Sequence, residues 1–328
     1  MRLSRAAMFS GRSRTSGKRR EPRRKEQIGT MCDATRRGFL TRSLGIAAAL
    51  ATGPLGKGLA EGARKPGSQM AFGLVTYNWG KDWDLATLIG NCETSNTLGV
   101  ELRTTHAHGV EPSLNLGQRM DVKKRFADSP VTLVGLGSNE RFDHPDPEGL
   151  KAAIEATKAF VKLGHDVGAS GVKVKPNSFH KDVPREKTIE QIGKSLSIVG
   201  AFGADYGQEI RLEVHGQCSP LPIMKQIMQF ADHPNVGVCW NSNAQDLEGE
   251  GLEHNFNLVK DRFGATAHIR PLDTPDYPYQ QLISLYVRMD YHGWLMLEDG
   301  RVPDDPLRRL GEQAQLFKKM VAKAQAGL

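Results

Sequence analysis

Short apolar runs recur along residues 71–328, and most of them break into charged or amide residues. Eight such runs read as strands: Ala71–Tyr77, Val100–Arg103, Val131–Leu136, Gly171–Lys175, Glu209–His215, Val236–Trp240, Thr266–Arg270 and Gly293–Glu298. Between them the apolar period lengthens to that of a helix. Leu85–Leu98 is one such stretch. Another starts at Asp146-Pro147, an N-cap acceptor followed by a proline suited to the first helical position, and carries Leu150, Ile154, Phe160, Val161 and Leu163 on one face. Gly164 is its expected stop. Helices are also expected over Lys187–Tyr206, Leu221–Ala231 and Pro306–Ala326, the last capped by Asp304 or Asp305. Strands separated by single helices imply parallel order with right-handed crossovers. Eight such units in about 260 residues predict an α/β fold, a (β/α)8 TIM barrel formed as a single domain over residues 61–328. The rival, an open doubly wound sheet, would need a glycine-rich phosphate loop after a strand. No GxGxxG or GxxxxGK[ST] pattern occurs.

In such a barrel the C-terminal ends of the strands converge on one pocket. Here those ends carry Glu101, Arg103, Lys175, Glu213, His215, Asn241, His268, Arg270 and Glu298, too much charge for a plain core. Residues two apart on a strand share a face, so Glu213 with His215, His268 with Arg270, and Lys173 with Lys175 are expected to point into the same space. Loop residues His106, His108, Asn177 and His180 join the same rim. Of these, His108 is the loop candidate for substrate contact.

The net charge of +7 suggests a nucleic-acid binder until its distribution is read. Residues 1–60 hold 14 Lys and Arg against three acids, which leaves the remainder at −4. The barrel therefore lacks the basic footprint that phosphate-backbone binding needs, and no nucleic-acid partner is expected. The basic segment has its own reading. Thr35-Arg36-Arg37-Gly38-Phe39-Leu40, a weakly apolar run from Leu44 to Thr52 and the small residues Gly58-Leu59-Ala60 follow in order, and together they resemble a twin-arginine export signal. That resemblance implies passage through the twin-arginine machinery and a periplasmic or extracytoplasmic product. A membrane span is not expected, because Gly53-Pro54 interrupts the apolar run early. Met31 offers a conventional start five residues before Arg36, and the segment ahead of it has the composition of disorder. Outside the signal, Cys92, Cys218 and Cys239 are odd in number and widely spaced, which argues against a disulfide framework or a cysteine zinc site.

Five motifs in order, Gly99-Val100-Glu101-Leu102-Arg103, Leu212-Glu213-Val214-His215-Gly216, Val236-Gly237-Val238-Cys239-Trp240-Asn241, His268-Ile269-Arg270-Pro271-Leu272-Asp273 and Gly293-Trp294-Leu295-Met296-Leu297-Glu298, resemble the sugar isomerase and epimerase group with xylose-isomerase-like barrels. That group includes ketose 3-epimerases, inosose dehydratases and endonuclease IV relatives. The resemblance covers about residues 70–300. It implies that strands five to eight offer Glu, Asp, His and Glu to one divalent metal (Mn, Mg or Zn), and that the two Glu also move protons. Glu213 and Glu298 match. Asn241 stands where the Asp is expected, and counting back from Asp273 places Arg270 at the histidine position, with His268 one inward step earlier. A usual ligand set near −3 needs a divalent cation, because uncompensated buried charge costs several kcal/mol. Glu213, Asn241, Arg270 and Glu298 sum to only −1.

Two versions of the site follow. In one, Arg270 replaces the metal. In the other, the strand is shifted and Glu213, Asn241, His268 and Glu298 hold it. The first is marginally favoured by the charge count. Either way the expected activity is that of an exported isomerase or epimerase. Glu213 and Glu298 would be base and acid beside the carbonyl of a sugar or keto-sugar, and Glu101, Arg103, His108, Lys175, His215 and Arg270 would contact the substrate. Lysis of keto-glycosides on the same machinery, and a non-catalytic carbohydrate-binding barrel, are the alternatives. A DNA-repair nuclease is disfavoured by the acidic body and the export signal.

Overall fold

The computed structural model describes residues 64–328. The basic segment and the expected export signal lie outside them. Eight parallel strands form the expected barrel: β1 (Ala71–Val75), β2 (Gly99–Arg103), β3 (Thr132–Arg141), β4 (Gly171–Lys175), β5 (Glu209–Glu213), β6 (Val236–Cys239), β7 (Thr266–Ile269) and β8 (Trp294–Leu297). β1 pairs with both β2 and β8, so the sheet runs from β6 through β1 to β7. The seam between β6 and β7 closes through single bridges: the His268 amide donates to the Trp240 carbonyl at 2.6 Å, and Asn241 pairs with His268.

The helices are α1 (Tyr77–Gly80), α2 (Leu85–Thr94), α3 (Leu116–Ala127), α4 (Pro147–Val167), α5 (Arg185–Asp205), α6 (Leu221–Phe230), α7 (Leu252–Asn257), α8 (Tyr279–Arg288) and α9 (Pro306–Ala326). The caps follow the local chemistry. Asp146 accepts from the Gly149 amide at 2.6 Å ahead of Pro147, and Asp305 accepts from Arg308. Asn115 and Gln118 form a reciprocal capping box on α3, an element the apolar pattern did not reveal because Leu116 and Met120 face solvent. Several boundaries move: β3 runs on to Arg141 where Leu136 was expected, and β5 stops at Glu213 short of His215. The first strand ends at Val75, and Tyr77 opens α1 instead. The first long helix stops at Thr94 rather than Leu98. α4 runs past Gly164 to Gly168, whose φ of 86° makes it the left-handed cap. Gly164 is small for a packing reason: a Cβ there would lie 2.5 Å from Gln208 Oε1.

The main apolar core lies between the strands and the helices, with Leu88, Val100, Val161, Ile192, Leu212, Ile227, Ile283 and Leu310 fully buried in it. The barrel interior is filled differently. Val75, Val134 and Met296 make a small apolar plug. Arg211 crosses beside it, held by Glu209 at 2.7 Å, the Val134 carbonyl and Ser170. Above this level the inward positions carry charge.

Candidate active site

Inward alternation sets two levels. Glu101 on β2, Lys173 on β4, Glu213 on β5 and His268 on β7 are buried; Arg103 and Lys175, each two residues further along its strand, reach the cavity above. Room for Glu101 comes from Gly137 of β3, where a Cβ would sit 2.9 Å from its Oε1. The cavity has a volume of about 340 Å³, within the ordinary size range of small-molecule sites. Arg103, Lys175, Glu213, His215, Asn241, Arg270 and Glu298 line it.

His268 organises the floor. Its Nε2 lies 3.3 Å from Glu101, while Nδ1 is 3.1 Å from Glu298 Oε2 and 3.9 Å from Glu213 Oε1. A buried carboxylate behind a histidine fixes the ring and its tautomer, as it does for metal-ligating histidines. Burial favours the neutral ring, but Cys239, Glu101 and Glu298 outweigh it and hold the imidazole well above the usual histidine range.

Glu213 is gripped from the other side. Lys173 Nζ is 2.7 Å from its Oε2, and the Asn241 amide donates to Oε1 at 3.0 Å. Burial would raise this carboxyl; Lys173, then His268 and His215, overcome that and bring it to about 2. Burial would likewise drive the proton off Lys173, yet Glu213, Glu298 and Glu101 hold its pKa above the ordinary lysine value. A buried ion pair thus lies beneath the cavity.

Glu213, His268 and Glu298 each present a ligand atom within 4.8 Å of the others, the one cluster among the described residues that could hold a metal ion. His268 Nδ1 is buried and lacks a hydrogen-bond partner. This donor set fits a divalent cation. Asn241 borders it but turns its nitrogen to Glu213, so it would serve as an oxygen ligand only after a flip of the amide. Arg270 does not occupy the histidine position. It reaches the rim, where Nη1 meets Asp276 at 3.0 Å and the guanidinium lies over Tyr277. The version in which Arg270 replaces the metal is therefore corrected: alternation along β7 puts His268 at the inner level and Arg270 one step above it.

The other expected residues separate. Lys175 and His215 line the cavity, and His215 Nδ1 meets Asn177 Oδ1 at 3.1 Å. Burial, only partly offset by Glu213, keeps His215 below the usual histidine range. Glu101 is fully buried beneath the floor behind His268 and does not line the cavity. His108 lies elsewhere: Nδ1 accepts from the Val110 amide and Nε2 donates to the Arg103 carbonyl at 2.7 Å, so both nitrogens are satisfied by the backbone of its loop. His106 bonds Thr76, and His180 lies 3.4 Å from buried Asp143. The apolar pattern gave no indication that Tyr77, Asn243 and Asp299 also line the cavity. Tyr77 was read as strand, and the other two stand in loops that periodicity does not describe.

The profile of the xylose isomerase-like TIM barrel family matches residues 89–320. The chain belongs to this family. No curated protein matches it. Among solved structures, the barrel is similar to the 3-keto-D-glucoside 4-epimerase YcjR from E. coli, with 13% identity, a TM-score of 0.64, and coverage of 76% of this chain and 99% of that one. An L-ribulose 3-epimerase has 12% identity and a TM-score of 0.66, covering 78% of this chain and 96% of the other. The IOLI protein, solved with a bound zinc atom, has 17% identity and a TM-score of 0.62, covering 79% and 98%. At such identities the likeness is one of fold. The family membership and the Glu–His–Glu cluster are properties of this chain.

Proposed function

We propose that this member of the xylose isomerase-like family is a sugar epimerase or isomerase that moves a proton on a carbon next to a carbonyl. The observation that carries the reading is the convergence of Glu213, His268 and Glu298 within 4.8 Å at the bottom of a polar cavity. The epimerase names of the solved relatives support it. A divalent cation held by Glu213, His268 and Glu298 would polarise the substrate carbonyl and steady the enediolate oxygen.

The chain's own residues divide the remaining work. Lys173 keeps Glu213 ionised, so that it can accept a proton from the substrate carbon. Glu298, on the wall formed by β8, returns one. Arg103 and Lys175 line the cavity on its β2 and β4 side and are placed to hold the substrate, while His215 and Asn241 are placed to bond hydroxyls. Glu101 fixes His268 from behind.

Glu213→Gln and Glu298→Gln should each lower proton exchange by on the order of 10²–10⁴-fold with the fold retained. Deuterium uptake from heavy water into a bound ketose, followed by NMR, measures it. Undiminished exchange in both variants would remove the acid–base assignment. We also propose, from Arg36-Arg37 and the small residues before Glu61, that the protein is exported folded through the twin-arginine route to the periplasm.

A further inference from the structure

The cavity has a cationic side whose charges are only partly matched. At the ends of β2 and β4, Arg103 Nη2 and Lys175 Nζ both donate to a single neutral oxygen, Asn139 Oδ1, at 2.9 and 3.3 Å. Lys173, Arg211 and Arg270 each have a carboxylate within 3.0 Å. Lys175 forms no ion pair among the described residues, and Arg103 reaches Glu298 only at 3.6 Å. The Arg103 guanidinium is stacked 4.7 Å over Tyr77, and its buried Nε has no hydrogen-bond partner. Burial first, and then repulsion from Lys173, hold the Lys175 ammonium below the usual lysine range. Glu213 and Glu298 attract it from a distance and offset this only in part, and an ammonium drawn from water without a paired counter-ion is costly. Here two cations from β2 and β4, the strands on either side of β3, are already oriented and share an acceptor that neutralises neither.

We infer that the substrate is a keto-sugar acid, with its carboxylate received between Arg103 and Lys175 and its carbonyl end turned to Glu213 and Glu298. This rests on the proton-transfer reading above. A carboxylate has the single charge and the two in-plane oxygens that a guanidinium edge and an ammonium can share. A phosphate ester carries nearly twice the charge, and one of the two cations here is already drawn partly to Glu298.

The test is calorimetric titration of the full-length protein with D-fructuronate, D-fructose and D-fructose 6-phosphate; the first two differ only by a carboxylate at C6. D-Fructuronate should bind about tenfold or more tighter than D-fructose, as one charge-assisted hydrogen bond to a half-buried cation provides, and the preference should shrink with added salt. Lys175→Met should abolish the preference, and Lys175→Arg should keep it. Should Lys175→Met fail to fold by circular dichroism, Lys175→Arg and the salt series carry the test. Equal affinities, no binding of the acid in the millimolar range, tighter binding of the phosphate ester, or a Lys175→Met loss equal for acid and neutral sugar would each overturn the inference. Deuterium exchange separates the two readings. A preference for the acid without exchange in any ligand removes the proton-transfer role and leaves the carboxylate site standing. Exchange with D-fructose as fast as with D-fructuronate, with no difference in binding, removes the carboxylate site alone.

Discussion

Removing the charge of Lys173 tests the most unusual part of the site. The Lys173–Glu213 pair is fully enclosed, with side chains 1% and 4% exposed and 2.7 Å between Nζ and Oε2. Glu213 is brought to about 2 from an ordinary 4.5 against the cost of its burial, which corresponds to about 3 kcal/mol at neutral pH. Breaking a buried pair by deleting one partner costs about 3–5 kcal/mol. Lys173→Met should therefore destabilise the chelator-treated barrel by about 3 kcal/mol, or roughly 6 °C in Tm for a domain of this size. Glu213→Gln should do much the same, because it strands Lys173. The double variant should recover most of the loss, since no uncompensated charge is left. Urea denaturation of the parent, both single variants and the double variant yields a coupling energy of about 3 kcal/mol if the pair acts as described. Its pH dependence has a defined direction. A carboxyl whose folded pKa is depressed contributes fully above its unfolded value, here about 4.5, and loses the contribution as pH falls towards 2. The gap between parent and Lys173→Met should therefore narrow below pH 4.5. A coupling energy near zero, or a gap that does not change with pH, would refute the reasoning.

Three further outcomes are expected. Mn²⁺ or Zn²⁺ titrated into chelator-stripped protein should bind, His268→Ala should lose the ion, and Asn241→Asp should bind it tighter by adding a carboxylate beside Glu213; a His268→Ala variant that binds like the parent would count against the Glu–His–Glu site. Burial raises Asp246 to about 7, against hydrogen bonds from Tyr277 and the Asn243 amide. A carboxyl raised in the folded state costs stability as pH climbs from its unfolded value to its folded one. Asp246→Asn should thus melt higher than the parent at pH 8, with the difference closing towards pH 4. Replacing Arg36 and Arg37 by Lys should leave the protein in the cytoplasm with its N-terminus uncut, and cell fractionation with mass spectrometry checks it: a mature form still found outside and trimmed near Ala60 would defeat the export proposal.

The order of strands and helices was written in the chain, because each unit of a parallel barrel is local: an apolar run, a polar end and an amphipathic return. The eight strands and the caps at Asp146 and Asp305 could be read that way. α3 could not, since its outward Leu116 and Met120 hide the apolar stripe on which the reading depends. The chemistry at the strand ends was also visible in part, as Glu213, His215, Asn241 and Glu298 line the cavity where strand-end positions should.

What the chain order did not contain was depth. Only the stagger of a closed barrel decides which of two residues on one strand is sealed below the floor and which faces the cavity. That stagger set His268 beside Glu101 and left Arg270 on the rim with Asp276. It enclosed Lys173 against Glu213, while Lys175 was left to share an amide oxygen with Arg103. Charge summed along the sequence treated Arg270 as part of the ligand set and gave no place to Lys173. Electrostatic energy depends on distance and burial in three dimensions, and both were fixed only when β4, β5 and β7 met across the barrel.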